Sequence, residues 1–149
     1  MRAVIQRVAE ATVSVDEKII GCVGAGFLVL VGVEKGDTEA DSLYIANKIA
    51  GLRVFEDEAG KLNRDLKEFG GSVLLVSQFT LYGDVRKGRR PSFIRAAGGD
   101  EAPQRIEEVR KLLTDAGLHV EEGSFGAHMM VQLINDGPVT ILVDSKKEF

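Results

Sequence analysis

Ser77, Gln78 and Thr80 set two hydroxyls and an amide within four residues, interleaved with Phe79, Leu81 and Tyr82. They follow Ser72-Val73-Leu74-Leu75-Val76, a β-branched apolar run after Gly70-Gly71 that reads as a buried strand. Polar groups at the end of such a strand either find partners or stay free for a ligand. Beyond Gly83 the chain turns basic: across 77–99, Arg86, Lys87, Arg89, Arg90 and Arg95 face Asp84 alone, a net +4. The whole chain carries −4, which leaves −8 for the remainder. A positive patch on an acidic protein points to an anionic partner, here a phosphate-bearing one. Each feature has a plainer reading, since Ser and Thr often cap turns and a Gly-containing basic loop is often only solvated.

The remaining chemistry-bearing residues are few. The single cysteine, Cys22, excludes an internal disulfide and a cysteine-cluster zinc site, agrees with a reducing compartment, and is expected as a small buried strand residue. His119 and His128 lack metal-ligand spacing, so no metal and no cofactor are expected. With 149 residues, 44% hydrophobic content and three prolines, the chain fits one domain, 1–149, with a sizeable core. The longest apolar run, Phe27–Val33, is too short to cross a bilayer, and no leader is apparent, so a cytoplasmic protein is expected.

The elements that must position these groups are read from periodicity. A β-rich opening runs from Arg2 through Val33, punctuated by Gly21, Gly24 and Gly26, which lack the context of a dinucleotide site. Thr38 and Asp41 resemble a capping box for a helix ending near Ala50, with Leu43, Ala46, Ile49 and Ala50 on its apolar face. Leu52–Glu56 is expected as a strand, followed by a polar turn at Asp57–Gly60. A second helix starts at Asp100 with Pro103 in its first turn, buries Ile106, Val109, Leu113 and Ala116, carries an outward Glu107–Lys111 pair, and closes at Gly117. Three β segments, His119–Gly123, Met129–Ile134 and Val139–Val143, finish the chain. The fold class is α/β, a single domain of mixed β-sheets covered by two main helices. Between the last two strands, Asn135-Asp136-Gly137-Pro138 reads as a tight hairpin turn, and Gly137-Pro138 is a linkage at which a cis peptide is inexpensive. In cis it would present two rigid main-chain carbonyls.

With MRAVIQRV at the start, SQFTL in the middle and NDGPVT near the end, the sequence closely resembles the D-aminoacyl-tRNA deacylases from Met1 to Val143. The resemblance implies a homodimer that hydrolyses the ester joining a D-amino acid, or glycine mischarged on tRNA(Ala), to the 3′ end of tRNA, with no DNA or membrane partner. It implies a catalytic pocket at Ser77, Gln78, Phe79 and Thr80. It makes Gly137-Pro138 a cis element that enters the partner's pocket and rejects L-amino acids, with Arg7 pinning it. It assigns Phe125 and Met129 to the terminal adenine. Arg86, Lys87, Arg89 and Arg90 are candidate contacts for tRNA phosphates.

In that setting the amides of Phe79 and Thr80 would face the oxyanion while Gln78 positions the ester carbonyl. Thr80 as nucleophile would need a base that the neighbouring sequence does not supply, so a positioning role ranks first. The alternatives are a non-catalytic RNA-binding module and a small-molecule esterase with a serine nucleophile, the latter without a G-x-S-x-G elbow.

Overall fold

Two runs without a polar side, Phe27–Val31 and Val73–Val76, suit only a sheet covered on both faces. In the computed structural model, which describes residues 1–149, they lie in strands β3 (Gly26–Gly32) and β6 (Ser72–Ser77), paired in parallel. Strand β1 (Arg2–Val15) runs antiparallel to β3 through its first half, and β2 (Lys18–Val23) pairs with its second half. Strand β7 (His119–Glu122) extends the parallel side beyond β6, and β8 (Met130–Asp144) lies antiparallel to β1. The architecture is the expected mixed α/β one.

Alternation along β3 and β6 feeds two cores. Phe27, Val29, Val31, Val73 and Leu75 face helices α1 (Glu39–Gly51) and α3 (Glu101–Asp115), where they meet Ile45, Ile49, Val109 and Leu113. Leu28, Leu74 and Val76 face the opposite way, onto Val8, Ala11, Val13 and Val23 from the curled β1–β2 pair. Burying each of these aliphatic side chains is worth about 1.5–3 kcal/mol, so the β3–β6 pair is held from both sides.

Helix α1 begins at the expected Thr38 cap, where the Asp41 carboxylate accepts from the Thr38 amide at 2.8 Å and its hydroxyl at 3.0 Å. Its buried face differs from expectation. Ser42 and Ile45 are buried and Leu43 is exposed, because the Ser42 hydroxyl reaches Glu108 on α3 and turns that stripe inward. Helix α3 buries Ile106, Val109 and Leu113, whereas Ala116 falls beyond the helix and is exposed. Glu107 pairs with Arg110 instead of Lys111, since a guanidinium one turn away can meet both carboxylate oxygens.

The expected strand at Leu52–Glu56 shortens to β4 (Phe55–Glu56), paired with β5 (Leu62–Arg64), because the Val54 carbonyl is taken by Arg7. A short helix, α2 (Leu66–Phe69), follows, with a capping box formed by Asp65 and Glu68. Cys22 is exposed, not buried: β2 turns Gly21 and Val23 inward and the residue between them outward.

The largest correction concerns the end of the chain. The segments expected at Met129–Ile134 and Val139–Val143 are not two strands of a hairpin but, from Met130 on, parts of one strand, β8, antiparallel to β1 with register shifts between Gln6 and Val8 and between Val8 and Glu10. Gln6 pairs with Thr140 and Val8 with Asn135, so a single β1 residue, Arg7, lies opposite the stretch 136–139. The NDGP segment is therefore a bulge pushed out of a strand.

Candidate active site

Strand β6 ends at Ser77, and the chain then tightens into a 3₁₀ turn, Phe79–Tyr82. The turn is anchored at its entrance, where the Gln78 amide donates to Val31 O at 2.7 Å. It also packs closely on the end of β3: a Cβ at Gly32 would come within 2.9 Å of Gln78 O and 3.1 Å of Leu81 Cβ. From the other side, an Arg2 guanidinium nitrogen donates to Leu81 O at 3.1 Å while its carbon lies 4.6 Å from the centre of the buried Tyr82 ring. The amides of Phe79 and Thr80 open the turn, where helical geometry supplies no acceptor, and neither makes a loop or cap bond to another main-chain carbonyl.

This turn borders a cavity of about 490 Å³. Ser77, Gln78 and Phe79 line one side, Phe125, Gly126 and Met129 another, and Val31, Val33, Ala97 and Ile106 contribute to an apolar wall. No lining residue is ionisable. Phe79 is 55% exposed and Phe125 50% exposed, an unusual state for two phenylalanines unless something covers them. Met129 is fixed by its sulfur, which accepts from the Ser124 amide at 3.3 Å. Thr80 is exposed and lies outside the lining, with its hydroxyl accepting from the Gln78 side-chain amide.

The second constellation stands apart from the cavity. Gly137 and Pro138 are exposed at the tip of the β8 bulge, joined by a cis peptide bond, and neither lines the cavity. The bulge is held from below. Arg7 Nε donates to Asp136 O at 2.9 Å and lies 3.6 Å from its carboxylate, while Arg7 Nη1 donates to Val54 O. Asn135 closes the base of the bulge: its carbonyl accepts from the Val139 amide at 2.8 Å and its Nδ2 donates to Val139 O at 3.0 Å. Sequence reasoning treated this asparagine only as a turn former; an Asx side chain bonding backbone a few residues on is the signal for its clasp. Gly137 sits at φ +149°, and a Cβ there would lie 2.7 Å from the Val139 nitrogen.

The basic segment divides into bound and free charges. Asp84 and Ser92 exchange two backbone hydrogen bonds of 2.9 Å, making 84–92 a closed arm. Arg86 is held by both oxygens of Asp84, and the same contact keeps that carboxyl well below the usual carboxylate range. Arg95 is likewise engaged by Glu34 and Glu148. Lys87, Arg89 and Arg90 are exposed and form no ion pair.

The family profile described as D-Tyr-tRNA(Tyr) deacylase matches residues 4–144. A D-aminoacyl-tRNA deacylase of Symbiobacterium thermophilum is 56% identical over 149 residues, covering 100% of this chain and 99% of that one. The protein of the same name from Thermotoga petrophila is 57% identical, with 100% of both chains covered. Among solved structures, a chain described as c-Myc DNA unwinding element binding protein superposes with a TM-score of 0.90 at 38% identity, over 97% of this chain and 98% of its own. A probable eukaryotic D-amino acid tRNA deacylase superposes at 0.83 with 17% identity, over 95% and 97%, a likeness of fold. Full-length identity above one half, together with a profile spanning nearly the whole chain, shows that this chain belongs to the D-Tyr-tRNA(Tyr) deacylase family of aminoacyl-tRNA hydrolases.

Proposed function

We propose that this chain hydrolyses the ester between a D-amino acid, or glycine, and the 3′ end of tRNA, working in the cytoplasm as a homodimer. The observation that carries this reading is the division of labour just described. A cavity lined by Ser77, Gln78 and Phe79 lacks any ionisable lining, and a supported Gly-Pro bulge is exposed outside that lining. Its exposure there supports a role at a pocket other than its own. In the proposed dimer, Gly137 and Pro138 of each copy enter the other copy's cavity and oppose the side chain of an L-amino acid with main chain, a steric exclusion that needs no side-chain contact. Arg7 and Asn135 keep the bulge in place.

For the chemical step, the Phe79 and Thr80 amides receive the oxyanion, and Gln78 orients the ester carbonyl. Phe125 and Met129 hold the terminal adenine between them. With no base lining the cavity, the 2′-hydroxyl of the terminal ribose activates the attacking water, and Thr80 positions water or the substrate amine. The arm 84–92 contributes Lys87, Arg89 and Arg90 to acceptor-stem phosphates, a sequence-independent contact; Arg86 is already held by Asp84.

The test is a time course on matched D-tyrosyl-, L-tyrosyl- and glycyl-tRNA. Release of D-tyrosine and glycine with the L-ester left intact supports the reading. Protection of the D-ester without release would make the chain a binder, and equal release of both enantiomers would remove the chiral role of the bulge.

A further inference from the structure

The basic arm is fastened to the cavity by one aromatic contact. Phe93 follows Ser92, the residue that closes the arm, and its ring meets Phe79 edge-on, with centroids 5.0 Å apart and planes at 70°. Phe79 is the cavity residue whose amide opens the 3₁₀ turn. The foot of the arm also packs directly against that turn. A Cβ at Gly83 would come within 3.0 Å of Thr80 O, 3.1 Å of the Phe93 ring and 3.5 Å of Pro91 Cβ. At the other end of the same arm stand Lys87, Arg89 and Arg90, without carboxylate partners.

We propose that Phe93 is a positioning residue that transmits the arm's grip on the nucleic-acid backbone to Phe79, so that phosphate contacts made outside the cavity raise turnover as well as affinity. The proposal rests on the ester-hydrolase reading above. A closed arm shifts as a unit when phosphates draw its cations, and the unit ends at the ring that holds Phe79. Because Phe79 is half exposed, Phe93 supplies the lateral contact that its own burial does not. Dispersed surface charges would act differently, altering binding alone.

The experiment compares wild type, Phe93→Ala and Phe93→Tyr on D-tyrosyl-tRNA and on 3′-O-(D-tyrosyl)adenosine, which has no phosphate for the arm to hold. Wild type is expected to turn over the tRNA ester faster than the adenosine ester. Phe93→Ala should lower kcat on the tRNA ester about three- to ten-fold, the scale of one lost aromatic pair, while changing kcat on the adenosine ester much less. Its thermal midpoint should fall by only a few degrees, leaving the protein folded at the assay temperature, and Phe93→Tyr, which keeps the ring, should restore the difference between the substrates. An unchanged kcat on tRNA in Phe93→Ala, an equal fall on both substrates, or no recovery with tyrosine would overturn the proposal. Failure of wild type to release D-tyrosine from either ester would strike the hydrolase reading itself, before any variant is compared.

Discussion

Two polar clusters terminate the elements of this fold, and they differ in what their polar groups do. At one, the Asp37 carboxylate, with no exposed surface, accepts from the Met1 ammonium at 3.0 Å and the Glu34 amide at 2.7 Å. Its neighbour Asp41 accepts from Thr38 and Ser145 and lies 3.2 Å from the Lys146 ammonium. Here charged and polar groups satisfy one another and join the start of β1, the cap of α1 and the end of β8. At the other, Ser77, Gln78 and the exposed Phe79 and Phe125 line an open cavity, beside a turn whose first two amides have no main-chain acceptor. Polarity alone marks neither as functional. What separates them is whether donors are already engaged and whether there is volume for a ligand beside them.

The sharpest way to break that comparison is to damage each cluster and ask which property fails. Asp37→Ala leaves a buried ammonium without its carboxylate, with only the Ser145 hydroxyl to accept from it, and should cost about 3–5 kcal/mol of stability, read by denaturant unfolding, while the activity of the folded fraction stays near wild type. A loss of activity with unchanged stability would reverse the two assignments. At the bulge, Gly137→Ala forces a Cβ to within 2.7 Å of Val139 N. The D/L ratio of kcat/KM should fall about 10–100-fold, the range of a steric sieve, with a lowered melting temperature because the bulge must shift to admit the Cβ. Phe125→Ala should weaken substrate binding by about 1–3 kcal/mol, seen as a raised KM with kcat less affected.

Acid sharpens the comparison from the other side. Burial alone would raise the carboxyl of Asp41, but hydrogen bonds from Ser145, Thr38 and Lys146 outweigh it and hold it well below the usual carboxylate range. A group depressed in this way contributes stability that is full above its unfolded value, about pH 4, and is lost as pH falls below that. Asp41→Asn should therefore flatten the stability profile below about pH 4. The smallest expected effect is at the arm: Arg89→Gln with Arg90→Gln should reduce the salt slope of tRNA binding by about 1–2, measured by titration at several salt concentrations.

The legibility of this molecule in its sequence follows the same division. The strand end at Ser77 could be found because an apolar run points straight at it, and the start of α1 at Thr38 because capping chemistry is local; α3 also starts after Asp100, though that side chain makes no cap bond. The cavity wall could not be found, since Val31, Val33, Ala97 and Ile106 meet only once β3, β6 and α3 are packed. Gly137-Pro138 was visible as a special linkage, yet its place inside one strand was not, because a turn and a bulge draw on the same residues. Leu43 and Ser42 exchanged places because a hydroxyl with a partner across the helix interface can outrank a leucine without one. The cluster at Asp37 joins positions 37, 41, 145 and 146 to the first residue, a grouping that no periodicity announces.

The central claim is that main-chain amides and the RNA itself carry the chemical step, with no side chain acting as nucleophile or base. The direct measurement is single-turnover deacylation of D-tyrosyl-tRNA charged on the 3′-hydroxyl, with and without the terminal 2′-hydroxyl, by wild type and by Thr80→Ala. The account predicts that Thr80→Ala stays within about ten-fold of wild type on the natural substrate, while loss of the 2′-hydroxyl lowers the rate at least about a hundred-fold, the scale of a missing acid–base group. Abolished turnover in Thr80→Ala, with the 2′-deoxy substrate cleaved at the normal rate, would contradict it.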